Sequence, residues 1–91
     1  MTDDWTLLFT KLAIQDSKLI ESSGLDKKVQ ELLNILKKNP FQNPPPFEKL
    51  VGNLSGTYSR RINIKHRLVY AVFSEKKIVN IIRMWTHYEQ R

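Results

Sequence analysis

The chain has 91 residues and no cysteine, with 41% hydrophobic and 26% charged residues. That bounds it to one small globular domain, residues 1–91, and excludes disulfides and cysteine-based metal centres. No run of 18 or more apolar residues occurs, which excludes a membrane-spanning helix, and at this length folding buries only about 60–65% of the unfolded surface, so a site should be a shallow cleft. Fifteen Lys and Arg against nine Asp and Glu give a net charge of +6, which favours a polyanionic partner (nucleic acid, an acidic protein segment or anionic lipid), with nucleic acid placed ahead of a merely basic soluble protein.

Residues 6–10 (TLLFT) read as a short strand, and residues 12–23 as a helix stopped by Gly24. Asp26 is placed to cap a second helix running to about Lys38, because Val29, Leu32, Leu33 and Leu36 repeat as one buried face and Asn39-Pro40 ends the pattern. Residues 41–54 read as an irregular connection stiffened by Pro44, Pro45 and Pro46, and loops this long in small domains are often functional. Gly52, Asn53, Ser55 and Gly56 mark a turn cluster. Residues 58–64, 67–73 and 78–85 then read as three strands of an antiparallel meander. The middle one, LVYAVF, is apolar on both faces, as a central strand is. The expected class is α+β, two N-terminal helices packed on a twisted antiparallel sheet. The acidic Asp3-Asp4 near the start argues against a secretory signal and makes the cytoplasm the expected location.

Three places hold more polar chemistry than such a fold requires: Glu48 after the prolines, Arg60, Arg61, His66 and Arg67 around the first hairpin, and His87-Tyr88 after the last strand. If the hairpin around residues 74–76 pairs positions whose numbers sum to 150 or 152, Arg67 faces Arg83 or Trp85 and His87 follows on the same face. A slip of one residue would separate them. Cleavage of RNA at a ribose 2′-hydroxyl needs a base, a cation on the phosphate and an acid for the leaving 5′-oxygen. A carboxylate, an arginine and an imidazole supply these, arginine holding phosphate with a planar fork that stays charged. That chemistry requires no metal or other cofactor. Each residue also has an ordinary reading. Glu48 is solvated, Arg60 and Arg61 are surface charges or contacts to a partner protein, His66 is a structural turn residue, His87 near the terminus is incidental, and Tyr58, Tyr70 and Trp85 pack the core. On these grounds alone RNA binding is favoured, and nuclease activity is one option among several.

The ordered set Asn39-Pro40-Phe41, Phe47-Glu48-Lys49-Leu50, Gly52-Asn53-Leu54-Ser55-Gly56, Tyr58-Ser59-Arg60-Arg61-Ile62-Asn63, His66-Arg67-Leu68-Val69-Tyr70-Ala71-Val72 and the closing His87-Tyr88 resembles the YoeB/Txe-type toxins of the RelE-like toxin–antitoxin superfamily, over residues 25–89. The resemblance implies the RelE-like microbial RNase fold. It implies the toxin of a type II toxin–antitoxin system, a ribosome-dependent endoribonuclease that cleaves mRNA in the A site without metal and inhibits translation. Glu48 would be the general base, Arg67 would stabilise the phosphate, His87 would be the general acid and Tyr88 would orient the substrate. Arg60, Arg61, Lys49 and Lys65 would contact RNA. The implied partners are a YefM/Phd-like antitoxin with an acidic segment, the ribosome with its mRNA, and a second copy in a homodimer. The chain departs from the pattern at Val51, where the family carries a lysine, and at Lys65, where it carries an acidic residue. Glu89 to Arg91 extend past Tyr88. The alternative is a catalytically inactive RNA-binding or antitoxin-binding, operon-regulating partner.

Overall fold

The computed structural model describes residues 4–50 and 56–86. Strand β1 (Thr6–Phe9) leads into helices α1 (Lys11–Ser22) and α2 (Asp26–Lys38). A loop then delivers the two-residue strand β2 (Glu48–Lys49), followed by β3 (Thr57–Arg61), β4 (Arg67–Phe73) and β5 (Ile78–Thr86). The five strands form one sheet in the order β1-β5-β4-β3-β2. β3, β4 and β5 pair antiparallel as expected; β2 adds an antiparallel edge within the segment read as an irregular connection, and β1 lies parallel to β5, so the sheet is mixed. A parallel neighbour needs a crossover, and the two helices form part of it.

The helices are set by short local signals. The Thr10 hydroxyl accepts from the Ala13 amide at 3.0 Å and donates to the Ile82 carbonyl at 2.8 Å, so one side chain both caps α1 and ties it to β5. Gly24 ends α1 in the left-handed region at φ +75°, where a side chain would strain the backbone. Asp26 does not cap α2. It is the first helical residue after Leu25, which makes no side-chain cap bond, and it sits with its charge at the positive end of the helix while Lys37 and Lys38 occupy the negative end.

Both helices cover one face of the sheet. Val29, Leu32 and Leu36 of α2 and Ala13 and Ile20 of α1 pack with Leu68, Tyr70, Val79, Ile81 and Met84. Full burial of each larger side chain contributes about 1.5–3 kcal/mol. The opposite face carries the alternate residues of the strands and is not covered by the helices. The described residues contain no helix long and apolar enough to cross a membrane.

The register of the last hairpin decides where side chains point, and it differs from the expected one. Phe73 pairs with Ile78, Ala71 with Asn80 and Tyr70 with Ile81, but the ladder then shifts to Val69–Arg83 and again to Arg67–Thr86. β5 therefore carries one extra residue at each of two irregularities, and a bulge of this kind re-aims the strand. Arg67 stands opposite Thr86 rather than Arg83 or Trp85.

Candidate active site

The site grows from the strand ladder. Glu48 pairs with Ser59, and Arg61 pairs with Arg67, so alternation sets all four on the face of the sheet away from the helices. The Arg67 guanidinium lies 3.1 Å from the Glu48 carboxylate and donates to the Ser59 hydroxyl at 3.3 Å. These residues, with Arg61, Pro46 and Phe47, line an open cleft of about 290 Å³. The Glu48 side chain is 58% exposed and that of Arg67 only 21%. The carboxylate is thus free to meet a ligand, while the arginine is held from below. Arg61 is exposed at the cleft wall. The cleft presents one carboxylate and two guanidinium groups along its lining, with the buried Ser59 hydroxyl behind Arg67.

Arg60 behaves quite differently from Arg61. It is fully buried, which corrects its reading as a surface contact for RNA or antitoxin. It occupies the helix-side parity of β3, and its side chain is threaded into the 39–47 loop. Nη1 donates to the Pro45 carbonyl at 2.6 Å, Nη2 to those of Pro40 and Gln42 at 3.0 and 2.8 Å, and Nε to the Tyr70 hydroxyl at 3.1 Å. The Phe47 ring lies 4.9 Å from the guanidinium carbon. Tyr70 itself donates to the Pro40 carbonyl, and burial holds its hydroxyl above the ordinary tyrosine value against the opposing pull of Arg60. Burying a cation costs several kcal/mol, offset here by four charge-assisted bonds and an aromatic face.

The remaining expected residues divide. Lys49 is exposed and paired with Tyr58, so alternation turns it away from the face that carries Glu48. Lys65 is exposed in the turn before β4 and does not line the cleft. His87 and Tyr88 lie outside the described residues. The His66 ring stacks on Trp85 with centroids 3.8 Å apart, and its Nδ1 has no hydrogen-bond partner among the described residues. Its backbone closes the turn, its amide donating to the Asn63 side chain and its carbonyl accepting from Ile62 and Asn63.

Two residues that sequence reasoning passed over prove structurally important. Ser59 is the hydroxyl between Glu48 and Arg67, and only the ladder register reveals it. Asp16 on α1 is 3% exposed. It accepts from Arg83 Nε at 2.8 Å, and also from the Met84 and Trp85 amides. The irregular register of β5 makes such amides available, and the carboxylate satisfies them. Burial pushes the Asp16 carboxyl up, but Arg83 and the two amides together hold it below the ordinary carboxylate value. An acidic residue within an otherwise amphipathic helix was the available signal. Among the described residues no group of three or more His, Cys, Asp or Glu is arranged to hold a metal ion.

Comparison with known proteins identifies a family. Residues 9–88 match the YoeB-like toxin of bacterial type II toxin–antitoxin systems. Toxin YoeB of Synechocystis is 35% identical over 88 residues, 92% of this chain and 98% of that protein. Toxin YoeB of Escherichia coli K12 is 42% identical over 57 residues, 63% of this chain and 68% of the relative. Among solved structures, the YoeB/ParE toxin of Agrobacterium tumefaciens superposes with a TM-score of 0.82 at 28% identity, covering 91% of this chain and 99% of that one. The YoeB–YefM complex of Staphylococcus aureus gives 0.75 at 36%, covering 92% and 98%. The chain belongs to the YoeB-like toxins of bacterial type II toxin–antitoxin systems.

Proposed function

We propose that this toxin is an endoribonuclease that cleaves mRNA in the ribosomal A site, and that the Glu48–Arg67 cleft is its active site. The observation that carries the reading is the 3.1 Å approach of a largely exposed carboxylate to a guanidinium anchored on Ser59, in an open cleft that Arg61 also lines. In the free protein the arginine neutralises the carboxylate. When an RNA phosphate enters, the arginine turns its donors to the phosphate oxygens and the carboxylate is left beside the ribose.

Glu48 takes the proton of the 2′-hydroxyl. The 2′-oxygen bonds to phosphorus, the bond from phosphorus to the 5′-oxygen breaks, and His87 gives that oxygen its proton. The products are a 2′,3′-cyclic phosphate and a 5′-hydroxyl. Arg67 and Arg61 meet the charge that builds on the phosphate oxygens, and Tyr88 orients the substrate. Lys49 and Lys65 belong to a wider basic surface that meets nucleic acid outside the cleft. The role of each cation is electrostatic and the proton transfers run through side chains, so the reaction as written involves no metal.

YoeB of Staphylococcus aureus has been solved as a dimer and in complex with YefM. By that likeness we assign this chain a YefM-type antitoxin and a homodimeric state. An acidic antitoxin segment on the cleft would shield the charges the RNA needs, which suits the net charge of +6. The activity places the toxin in the cytoplasm, with the ribosome. The test is primer extension on mRNA in a translation extract. Wild-type protein should yield new 5′ ends at A-site positions, and Glu48→Gln, Arg67→Ala and His87→Ala should not. Tight antitoxin binding with no cleavage by the wild type would leave the regulatory reading in its place.

A further inference from the structure

We infer that Arg60 is a positioning residue for Glu48, its buried guanidinium fixing the course of the proline loop that sets the carboxylate beside Arg67. This rests on the assignment of Glu48 as the base.

Apart from the Phe41 and Phe47 rings, which meet each other and Tyr58, the loop has few polar ties of its own. Pro44, Pro45 and Pro46 bring no amide donors. Within residues 40–47 the bonds the loop makes to itself or to Asn39 are few: the Gln42 and Phe41 amides to Asn39, and the Gln42 side chain to Pro44. Arg60 donates to three of its carbonyls, at Pro40, Gln42 and Pro45, and so spans the loop from its start to three residues before Glu48. The Phe47 ring, the immediate neighbour of Glu48, lies on the same guanidinium and against Tyr58. Downstream, among the described residues, the backbone after Glu48 is tied by a two-residue edge strand and by the Leu50 amide bonded to the Thr57 carbonyl.

Neighbouring residues of β3 therefore act on Glu48 from opposite sides of the sheet. Ser59 meets it through the ladder and through Arg67, while Arg60 grips the chain leading into it. No carboxylate pairs with Arg60 among the described residues, and a well-packed apolar side chain of similar volume often serves stability as well as a buried charge does. What an apolar side chain cannot do is bind three carbonyls in a fixed arrangement. A catalytic group displaced by about 1 Å can cost on the order of 10²-fold in rate.

The experiment measures cleavage of mRNA on programmed ribosomes by wild type, Arg60→Met, Arg60→Lys, Glu48→Gln and the Arg60→Met/Glu48→Gln double variant, with thermal melts for each. Arg60→Met should melt cooperatively and lose about 10- to 100-fold in kcat with KM changed less than about threefold. Arg60→Lys should fall between it and wild type. In the Glu48→Gln background, Arg60→Met should cost less than about threefold further, because the group it positions is already gone. The proposal is overturned by wild-type kcat in a folded Arg60→Met or Arg60→Lys protein, by equal losses in the two backgrounds, or by failure of both single variants to fold. Inactive wild-type protein would remove the nuclease reading and this inference with it. An active wild type with unaffected Arg60 variants would remove this inference alone.

Discussion

Glu48 and Arg67 lie two strands apart in the sheet, on β2 and β4, yet their side chains meet at 3.1 Å above Ser59 of the strand between them. A short edge strand and a central strand thus contribute one half each of the proposed acid–base and phosphate-holding pair. The reach of arginine allows it: the guanidinium extends diagonally across β3 to a carboxylate that ladder pairing alone would not bring opposite.

Glu48→Gln should lower kcat by about 10²–10⁴, the range for loss of a general base, with little change in KM. Arg67→Ala should cost at least as much, and the double variant less than the product of the two, because the residues act on one phosphodiester. Single-turnover cleavage on programmed ribosomes measures all three.

Ser59→Ala should be milder. Its hydroxyl bond to Arg67 is long at 3.3 Å, and a neutral hydrogen bond contributes about 0.5–1.5 kcal/mol. The expected loss in kcat is about 2- to 10-fold, read in the same assay.

Arg61, in the cleft, and Lys49 and Lys65, outside it, should separate in a salt series. Arg61→Ala should lower cleavage even at low ionic strength. Lys49→Ala and Lys65→Ala should weaken association and flatten its dependence on salt while leaving the rate of the bound complex near wild type.

Asp16 should make the fold acid-sensitive. Its carboxyl is held below the ordinary value, so its ionised form stabilises the folded state fully above the unfolded value of about 3.9, and that contribution is lost as pH falls through the lower folded value. Asp16→Ala leaves two amides and Arg83 without their acceptor. At pH 7 it should cost about 2–4 kcal/mol, tempered because Arg83 is partly exposed. Melts from pH 7 to pH 2 check this: the gap between wild type and variant should close at the acid end.

Much of the fold is legible in the sequence because its signals are local. The leucine spacing of α2, Gly24 after α1 and the apolar run of β4 each act within a few residues. The parallel placement of β1 is not legible, since a four-residue strand carries no mark of its partner. The shifted register of β5 is hidden for a similar reason: the carboxylate that takes its freed amides, Asp16, is some seventy residues away. At the site, Glu48, Arg61 and Arg67 could be chosen by residue type and family likeness. Arg60 could not be told from Arg61, because two adjacent arginines on a strand face opposite ways and only the packing says which enters the interior.

The most direct measurement of the central claim is the chemical identity of the 3′ end left on the upstream fragment when wild-type toxin cuts mRNA on a programmed ribosome. Attack by the 2′-hydroxyl through Glu48 and Arg67 predicts a 2′,3′-cyclic phosphate, absent with Glu48→Gln. A 3′-hydroxyl end, or a cyclic phosphate formed equally well by Glu48→Gln, would contradict it.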